Sequence, residues 1–469
     1  MPMNFETVRK SLLVAGPLLA ALTGGFLPEL GLPQSAAWTA GITLWVGLWW
    51  VFEPIPIPAT SLIPFAAFPV AGVLSNKEVA QAYGHWLIML LLGGFILSAA
   101  MEKSGVHRRI ALFMIELVGR KSPKRLILGV MLATAMLSGW ISNTATVLMM
   151  LPVVLALCAE LPGPKSVCAM LLGLAYSASI GGIATPIGTP PNVVLMGIYE
   201  ETTGSGIGFL DWMLLGYPVS AILLVAAWIY LTRNVEKDSS LTSDSADQNR
   251  ASMSSHELRV LIIFALTALA WITRKQPAGG WSELLGAATV GDDTIALAAA
   301  ALVFVVPSGE GGKILDWESA VKIPWGLLIL FGGGIAIAKA FGSSGLSHII
   351  GEALTGVTAL PVLLMMMLVC CAVTFLTEMT SNTATTTLLM PILAAAALAA
   401  GIEPLLLMLP AALSASCAFM LPVATAPNAI VFGSGKVTVE RMAKEGFWLN
   451  IIGIFVISLS CFAGREIFY

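Results

Sequence analysis

Charged residues are scarce in this sequence. Asp, Glu, Lys and Arg make up 11% of its 469 residues, while hydrophobic residues make up 57%. A soluble globular chain carries about 25% charged residues, so the composition excludes an ordinary soluble protein. Apolar runs long enough to cross a bilayer, which takes about 20 residues each, recur from one end of the chain to the other. Because these runs are continuous rather than alternating, they also exclude an outer-membrane barrel.

The sequence also lacks the motifs of several function classes. It has no glycine loop of the Walker type, which argues against an ATP-driven pump. Its six cysteines lie in apolar segments without a CxxC motif, as expected for small packing residues. There is no Ser-His-Asp or metal-binding constellation of an enzyme, and a net charge of −3 gives no sign of a nucleic-acid partner. We therefore expect an all-α polytopic membrane protein that is not an enzyme and has no organic cofactor.

A short polar motif stands out against this apolar background because it occurs twice. Ser-Asn-Thr-Ala-Thr fills positions 142–146 and again 381–385, an offset of 239 (142 to 381). Other landmarks recur at nearly the same offset: Trp86 with Trp325, Gly105 with Gly345, and Asn192 with Asn428. These matches predict an internal repeat.

Each copy of the motif lies in an apolar stretch that is too long for one span, at 126–161 and 360–400. We interpret each stretch as a re-entrant hairpin of two half-depth helices, with polar tips near 138–144 and 377–383; for the first stretch, one long helix is the alternative. The next apolar segments contain prolines that interrupt a helix near 185–192 and 424–428. Non-helical backbone at that depth is tolerated only where it is buried or lines a cavity.

The remaining apolar runs bring the total to about 11 transmembrane helices plus the two hairpins. The basic stretch at 103–125 indicates a cytoplasmic loop, which puts the N-terminus in the cytoplasm and the C-terminus outside. Five crossings per repeat is an odd number, so the second repeat must be inverted, as in secondary transporters. An anion channel would instead show basic pore rings. Arg274 and Lys275 fall on the outer side, against the charge rule.

The predicted domain boundaries follow from this count. They are an N-terminal cytoplasmic segment with the first helix at 1–35, repeat 1 at 36–233, a polar cytoplasmic linker at 234–257, and repeat 2 at 258–469.

The motifs supply ligands that suit a hard cation and a small anion. Hard cations such as sodium take oxygen ligands, and in broken-helix transporters the unwound carbonyls hold the cation while half-helix N-termini face the anion. We expect two equivalent cation sites, one formed by Ser138, Ser142, Asn143 and the backbone at Gly188, the other by Thr377, Thr380, Asn382 and the backbone at Ala424. The anion would contact Asn143, Thr144, Thr189, Asn382, Thr383 and Thr425. Since no Lys or Arg accompanies these motifs, bound cations and helix dipoles would supply the positive charge.

Two plainer interpretations bear on these residues. A single Ser-Asn-Thr in a span is more often a polar contact between helices than a ligand site, but the duplication and the adjacent helix breaks favour a site. Glu378, next to the second motif, suits either a proton-coupling role or structural pairing. The first copy has Gly139 at the corresponding position, so Glu378 is not part of the symmetric site.

The paired Ser-Asn-Thr motifs, the Pro-Pro-Asn and Ala-Pro-Asn breaks and the repeat offset resemble the divalent anion/sodium symporter (INDY-like) family over essentially the whole chain. The resemblance implies sodium-coupled symport of C4-dicarboxylates such as succinate, fumarate and malate, in a homodimer in the cell membrane. It also implies an elevator-type motion of a transport domain against a scaffold domain. Ala426, where many relatives have proline, and Thr189, where some have serine, depart from the pattern and bear on substrate preference. A sodium-independent exchanger and a sodium-coupled sulfate or citrate transporter on the same fold are the alternatives.

Overall fold

A computed structural model describes residues 5–119, 121–235, 252–275, 279–287, 289–353 and 360–468. Within these ranges the chain is helical, with one short 3-10 helix at Leu27–Leu30, an isolated bridge between Pro307 and Lys313, and no strand. The predicted all-α class is therefore confirmed. Most of the predicted linker at 234–257 lies outside the described residues and stays a prediction.

The helices of the N-terminal part are, in chain order, α1 (Phe5–Phe26), α2 (Gln34–Phe52), α3 (Ile57–Thr60), α4 (Ile63–Val70), α5 (Asn76–Tyr83), α6 (Trp86–Ser104), α7 (Val106–Val118), α8 (Pro123–Ser138), α9 (Asn143–Cys158), α10 (Gly163–Gly182), α11 (Pro190–Thr203) and α12 (Phe209–Thr232). Those that follow are α13 (Ser255–Ile272), α14 (Gly280–Leu284), α15 (Asp292–Val305), α16 (Trp317–Ala320), α17 (Trp325–Ser344), α18 (Leu346–Ala353), α19 (Val362–Thr377), α20 (Asn382–Ala399), α21 (Leu405–Ala415), α22 (Ala426–Gly433) and α23 (Val439–Phe468).

Helices long and apolar enough to cross a membrane number eight among the described residues. They are Arg9–Leu30, Gln34–Phe52, Asn76–Ser104, Phe209–Thr232, Ser255–Ile272, Trp325–Ser344, Asn382–Ala399 and Val439–Arg465. One of the eight, Asn382–Ala399, lies in the second overlong stretch, which the sequence predicts to be a hairpin and not a span. The predicted spans that are missing from the eight are shorter or interrupted: 59–74 forms two short helices, α15 has 14 residues, and 166–199 and 405–432 are each split in two. The protein is thus a multi-pass helical membrane protein, and the count of 11 spans stays a prediction.

Both overlong polar-tipped stretches form helix–turn–helix hairpins. Hairpin 1 consists of α8 and α9 joined at residues 139–142, and hairpin 2 consists of α19 and α20 joined at residues 378–381. Three of the four arms have 16 residues, a length of about 24 Å at 1.5 Å per residue, which is shorter than the roughly 30 Å hydrocarbon core. The structure therefore has two helices in the first stretch, where one long helix was the alternative.

The two interrupted segments unwind earlier than the sequence predicts, at residue 183 rather than 185 and at residue 416 rather than 424. Break 1, at residues 183–189, separates α10 from α11, and break 2, at residues 416–425, separates α21 from α22. Helix resumes directly at Pro190 and at Ala426 because a proline in the first turn needs no helical N–H partner. At the second break, the Thr425 hydroxyl also caps the helix by accepting from the Asn428 N–H at 3.2 Å.

Packing between the halves brings the hairpins and the broken helices into one cluster. Each hairpin contacts the broken helix that follows it, since α8 and α9 pack on α10, and α19 and α20 pack on α21. The contacts also cross between the halves: α22 packs against α9 and α10, while α11 packs against α20 and α21. Both polar tips therefore belong to the same helix cluster.

Candidate functional site: two hairpin tips against two helix breaks

The tip of hairpin 1 meets break 1 through the side chain of Asn143, the first residue of α9. With the amide oriented so that its nitrogen faces acceptors, it donates to the Ser138 hydroxyl at 2.5 Å and to the carbonyl oxygens of Ala178 at 3.2 Å and Gly188 at 3.3 Å. Ser138 is fully buried. Three of the four residues predicted for the first cation site, Ser138, Asn143 and Gly188, are therefore in direct contact.

Close packing of two side chains against Gly182 explains why this position holds a glycine. A Cβ on Gly182 would lie 2.7 Å from the Asn143 amide and 3.1 Å from the Thr189 Cβ, so only glycine leaves room for both side chains. The tip and the break are also joined by the Thr185 hydroxyl, which donates to the Gly139 carbonyl. Thr185 was not among the predicted site residues.

Hairpin 2 repeats the central contact with different residues. The Thr377 hydroxyl lies 2.7 Å from the Asn382 Oδ1 and 3.1 Å from the Ala415 carbonyl oxygen at the end of α21. Thr377 and Asn382 occupy the positions of Ser138 and Asn143 at the offset of 239 (138 to 377). Two of the residues predicted for the second cation site, Thr377 and Asn382, are therefore in direct contact.

Other residues predicted for the second site form hydrogen bonds with neighbours that are not in the predicted set. The Thr380 hydroxyl lies 2.6 Å from the Thr385 hydroxyl and donates to the Leu376 carbonyl at 2.9 Å, both within hairpin 2. Ala424 and Thr425 end break 2, and among the described residues no hydrogen bond joins either of them to Asn382. The structure thus brings the first predicted cation set together more completely than the second.

The residues predicted to contact the anion lie at or beside helix N-termini. Thr189 and Thr425 are the N-caps of α11 and α22, and Asn143 and Asn382 begin α9 and α20. Thr144 is half-buried and Thr383 buried, each one residue further along, and Ser142, predicted for the cation, is the N-cap of α9. Helix N-termini carry partial positive charge and attract anions. Since 138–144, 183–189, 377–383 and 416–425 contain no Lys or Arg, these termini supply the fixed positive potential of the cluster.

Asn192 and Asn428, which served in the sequence only as landmarks of the repeat, form side-chain hydrogen bonds across the two breaks. Asn192 donates from Nδ2 to the carbonyls of Gly182 (2.9 Å) and Thr185 (2.7 Å). Asn428 donates in the same way to Ala418 and Leu421, both at 3.0 Å. Each asparagine spans the same two separations, ten and seven residues back along the chain. The Pro-Pro-Asn and Ala-Pro-Asn triplets were the available signal for this role.

Comparison with known proteins agrees with this architecture. A family model described as "CitMHS: Citrate transporter" matches residues 48–412. The protein named sodium-dependent dicarboxylate transporter SdcS of Staphylococcus saprophyticus is 42% identical over 468 residues, which cover 95% of this chain and 89% of that protein. The protein of the same name from Staphylococcus aureus strain MRSA252 is 41% identical over 477 residues, covering 97% and 91%.

Two solved structures share the fold at low sequence identity. The Alcanivorax borkumensis YdaH transporter superposes with a TM-score of 0.61 at 10% identity, covering 83% of this chain and 88% of that one. Neisseria gonorrhoeae MtrF, described as an antimetabolite efflux pump, gives a TM-score of 0.58 at 14% identity, covering 94% and 96%. With the family model and the relatives above, the chain belongs to the divalent anion/sodium symporter family, a family of membrane transporters and not of enzymes.

Proposed function

We propose that this protein is a secondary active transporter that couples the uptake of C4-dicarboxylates, such as succinate, fumarate and malate, to sodium. The observation that carries the proposal is the oxygen cluster at the tip of hairpin 1. The Ser138 hydroxyl and the carbonyls of Ala178 and Gly188 converge within 3.3 Å of the Asn143 amide. Hydroxyl and carbonyl oxygens are the ligands that hard cations prefer, and a half-turn of the amide would present its own oxygen to the ion. The relatives named as sodium-dependent dicarboxylate transporters indicate which cation and which anion.

The proposal includes two sodium sites related by the internal repeat. They use the residues given above, one set around Asn143 and the other around Asn382. The anion would lie between the two tips, beside the N-termini of α9, α11, α20 and α22, and the tips and breaks contain no Lys or Arg. Sodium then supplies the charge that an Arg or Lys supplies in other anion sites, so the anion site is incomplete until the cations bind. This dependence is the physical basis of symport.

Alternating access would move a transport domain, built from parts of both inverted repeats, like an elevator against a scaffold domain, in a homodimer in the cell membrane. Ion pairs support the predicted side of each loop, because both partners of each pair fall on the same predicted side. These pairs are Lys103–Asp316, Arg109–Glu257, Arg233–Glu445, Lys339–Glu201 and Arg274–Asp292. The hydrogen bond from Lys103 lowers the pKa of Asp316 to about 2, so this pair stays charged at neutral pH.

Arg274, which breaks the charge rule in the predicted topology, has a local explanation. Its guanidinium bonds both carboxylate oxygens of Asp292, at 2.5 Å and 3.0 Å, and the Asp292 side chain is 1% exposed. A bidentate pair neutralises both charges, so this arginine carries little weight as a topology signal.

The test is transport by the purified protein in proteoliposomes. Labelled succinate should accumulate when sodium is present outside at higher concentration than inside, and replacing sodium by choline should abolish uptake. Equal uptake in choline would contradict the coupling and favour an exchanger.

Citrate is the second candidate substrate, because the matching family model is described as a citrate transporter. Competition of labelled succinate with unlabelled citrate, sulfate, fumarate and malate separates the candidates. A stronger inhibition by citrate than by fumarate would reassign the substrate while leaving the sodium dependence intact.

A further inference from the structure

Glu378 is a carboxylate in hairpin 2, directly after α19, and the residue is 3% exposed. Four N–H donors surround it. Oε1 accepts from the backbone N–H groups of Phe419 (2.7 Å) and Met420 (2.9 Å) and from Asn450 Nδ2 (2.7 Å), while Oε2 accepts from the N–H of Leu421 (3.0 Å). A carboxylate can accept from three consecutive backbone N–H groups only when that segment of the chain has one specific conformation.

The three backbone donors belong to break 2 and need partners. Helix α21 ends at Ala415, so residues 419–421 lie beyond its hydrogen-bonding pattern. Among the described residues, no backbone carbonyl accepts from these three N–H groups. Buried backbone donors are almost always paired, and Glu378 supplies the pairing here.

The same segment is held from its other side by Asn428. The Asn428 amide donates to the carbonyls of Ala418 and Leu421. The Glu378 carboxylate accepts from the N–H groups of residues 419–421, which lie between and beside those carbonyls. Break 2 is therefore clamped on both its donors and its acceptors, and Glu378 is the clamp that comes from hairpin 2. Its neighbour Thr377 also reaches the end of α21 at Ala415.

The first half holds its break in another way. Gly139 occupies the position that corresponds to Glu378, and its carbonyl accepts from the Thr185 hydroxyl. Backbone contact is close there, since a Cβ on Gly181 would lie 2.2 Å from the Ala135 carbonyl oxygen. Hairpin 1 is thus held to its broken helix by close backbone packing and by short neutral side chains, whereas hairpin 2 also uses a carboxylate.

We propose that Glu378 is a positioning residue for the second sodium site, which holds break 2 in its unwound form against the tip of hairpin 2. The inference rests on the proposed function, because the second sodium site and the sodium dependence of uptake both belong to it. Three of its four partners are backbone donors whose direction is fixed by the chain, so the carboxylate acts as an acceptor in the folded protein. This use differs from that of a group that carries a proton during transport.

The test compares three variants at this position. Glu378→Gln keeps an oxygen that can accept at the Oε1 position, and with it three of the four bonds, whereas Glu378→Ala keeps none and Glu378→Asp is one methylene too short. We expect the sodium concentration for half-maximal uptake to rise less than tenfold in E378Q and more than tenfold in E378D and E378A. The maximal rate of E378Q should stay within a factor of two or three of the wild type.

A second measurement does not depend on transport. Amide hydrogen exchange followed by mass spectrometry should become at least tenfold faster in the peptide that covers 416–425 of E378A and remain unchanged in the peptide that covers 183–189. Asn450→Ala should show a smaller change in the same direction, and the E378A/N450A double variant should be no worse than E378A, because the two residues act as one unit. Thr267→Val, which removes a buried hydroxyl that bonds only within its own helix, is the control for folding.

The outcomes separate the two proposals. If E378Q is as inactive as E378A while exchange at 416–425 is unchanged in both, the positioning role is wrong and a proton-carrying role is favoured. If E378A does not fold, E378Q and N450A still test the positioning role. The inference is overturned if both variants keep the wild-type sodium dependence of uptake and the wild-type hydrogen exchange at 416–425. A wild-type protein without sodium-dependent uptake contradicts the proposed function, and faster exchange in E378A still supports the clamp.

Discussion

At the scale of single residues, the amide of Asn143 joins three acceptors: Ser138 in its own hairpin, Ala178 in α10 and Gly188 in break 1. Asn143→Ala should remove these contacts together with one predicted ligand for each of sodium and the anion. The loss of hydrogen bonds in a partly buried site costs about 1–3 kcal/mol, which is roughly a tenfold to hundredfold loss in affinity. Sodium-dependent succinate uptake should fall at least tenfold, while size-exclusion chromatography and circular dichroism should show a folded protein.

Asn382→Ala tests the same role in the second half. Uptake should fall by a similar factor, since the two residues occupy corresponding positions at the hairpin tips. If either variant takes up succinate with the sodium dependence of the wild type, that asparagine is not part of the site.

Gly182 sets the space available to Asn143. In Gly182→Ala the new methyl group would lie 2.7 Å from the Asn143 amide, and overpacking of this kind costs about 1–3 kcal/mol. We expect the half-maximal sodium concentration to rise by an order of magnitude, with little loss of expression. Gly342→Ala is the matched control, because a Cβ there meets nothing within 4 Å; equal effects of the two variants would show that the crowding is unimportant.

The residues that could be predicted from the sequence are those with a duplicated polar motif. Asn143 and Asn382 stand out because a polar amide in an apolar run needs a partner, and the repeat makes a coincidence improbable. Thr185 and Asn450 could not be found this way, since their partners are a carbonyl 46 positions away and a carboxylate 72 positions away. Such contacts depend on how helices pack, which the local pattern does not encode. Glu378 was visible as an anomaly, but its partners were not.

At the scale of elements, the two breaks are short unwound segments, and each is spanned by the side-chain hydrogen bonds of one asparagine. Sequence predicts their existence from the prolines, but their extent depends on capping and packing; 426–428 is helical because Thr425 caps the helix and a proline fits its first turn. The closing hydrogen bonds run between the same relative positions in both breaks. Each break is therefore a defined structure rather than a loose hinge.

Replacing Asn192 or Asn428 by alanine should loosen the corresponding break and weaken sodium binding. Each change leaves one buried carbonyl, that of Gly182 or of Ala418, without its partner, at a cost of about 1–3 kcal/mol, while the carbonyls of Thr185 and Leu421 keep a backbone N–H donor. A tenfold loss in sodium affinity would reduce the stabilisation by sodium by about 1.4 kcal/mol, which a thermal melt with and without sodium can detect. Thr202→Ala, at the far end of the same helix as Asn192 and bonded within that helix, should keep the full sodium-induced shift; an undiminished shift in N192A and N428A would contradict the assigned role.

At the scale of the whole molecule, hydrogen bonds tie α12 to α10 and break 1, and α23 to hairpin 2. The Trp212 indole donates to the Ile183 carbonyl at 3.0 Å, Ser220 donates to the Ile180 carbonyl at 2.8 Å, and Asn450 reaches Glu378. We infer that these helices move with both hairpins as one transport body. Helix α13 carries no bond of this kind to a tip among the described residues, and it meets hairpin 1 through aromatic rings, which can slide without leaving polar groups unpaired.

The aromatic contact gives the elevator proposal a direct test. Trp140, at the tip of hairpin 1, lies with ring centroids 5.3 Å from Phe264 and 6.5 Å from Trp271 on α13. In a background where the exposed native thiol is removed by Cys371→Ser, a reducible bis-methanethiosulfonate reagent should cross-link the pair W140C/F264C, and uptake should stop because the two bodies can no longer move apart. Reduction should restore uptake.

A matched pair controls for the chemistry of cross-linking. Phe304 and Trp317 have ring centroids 6.1 Å apart on α15 and in α16, both outside the proposed transport body. Cross-linking F304C/W317C with the same reagent should leave sodium-dependent uptake close to its value after reduction, because a link within the scaffold does not oppose the motion. If the 140–264 cross-link forms completely and uptake continues, hairpin 1 does not move against α13 during transport, and a fixed-scaffold mechanism with local gating replaces the elevator.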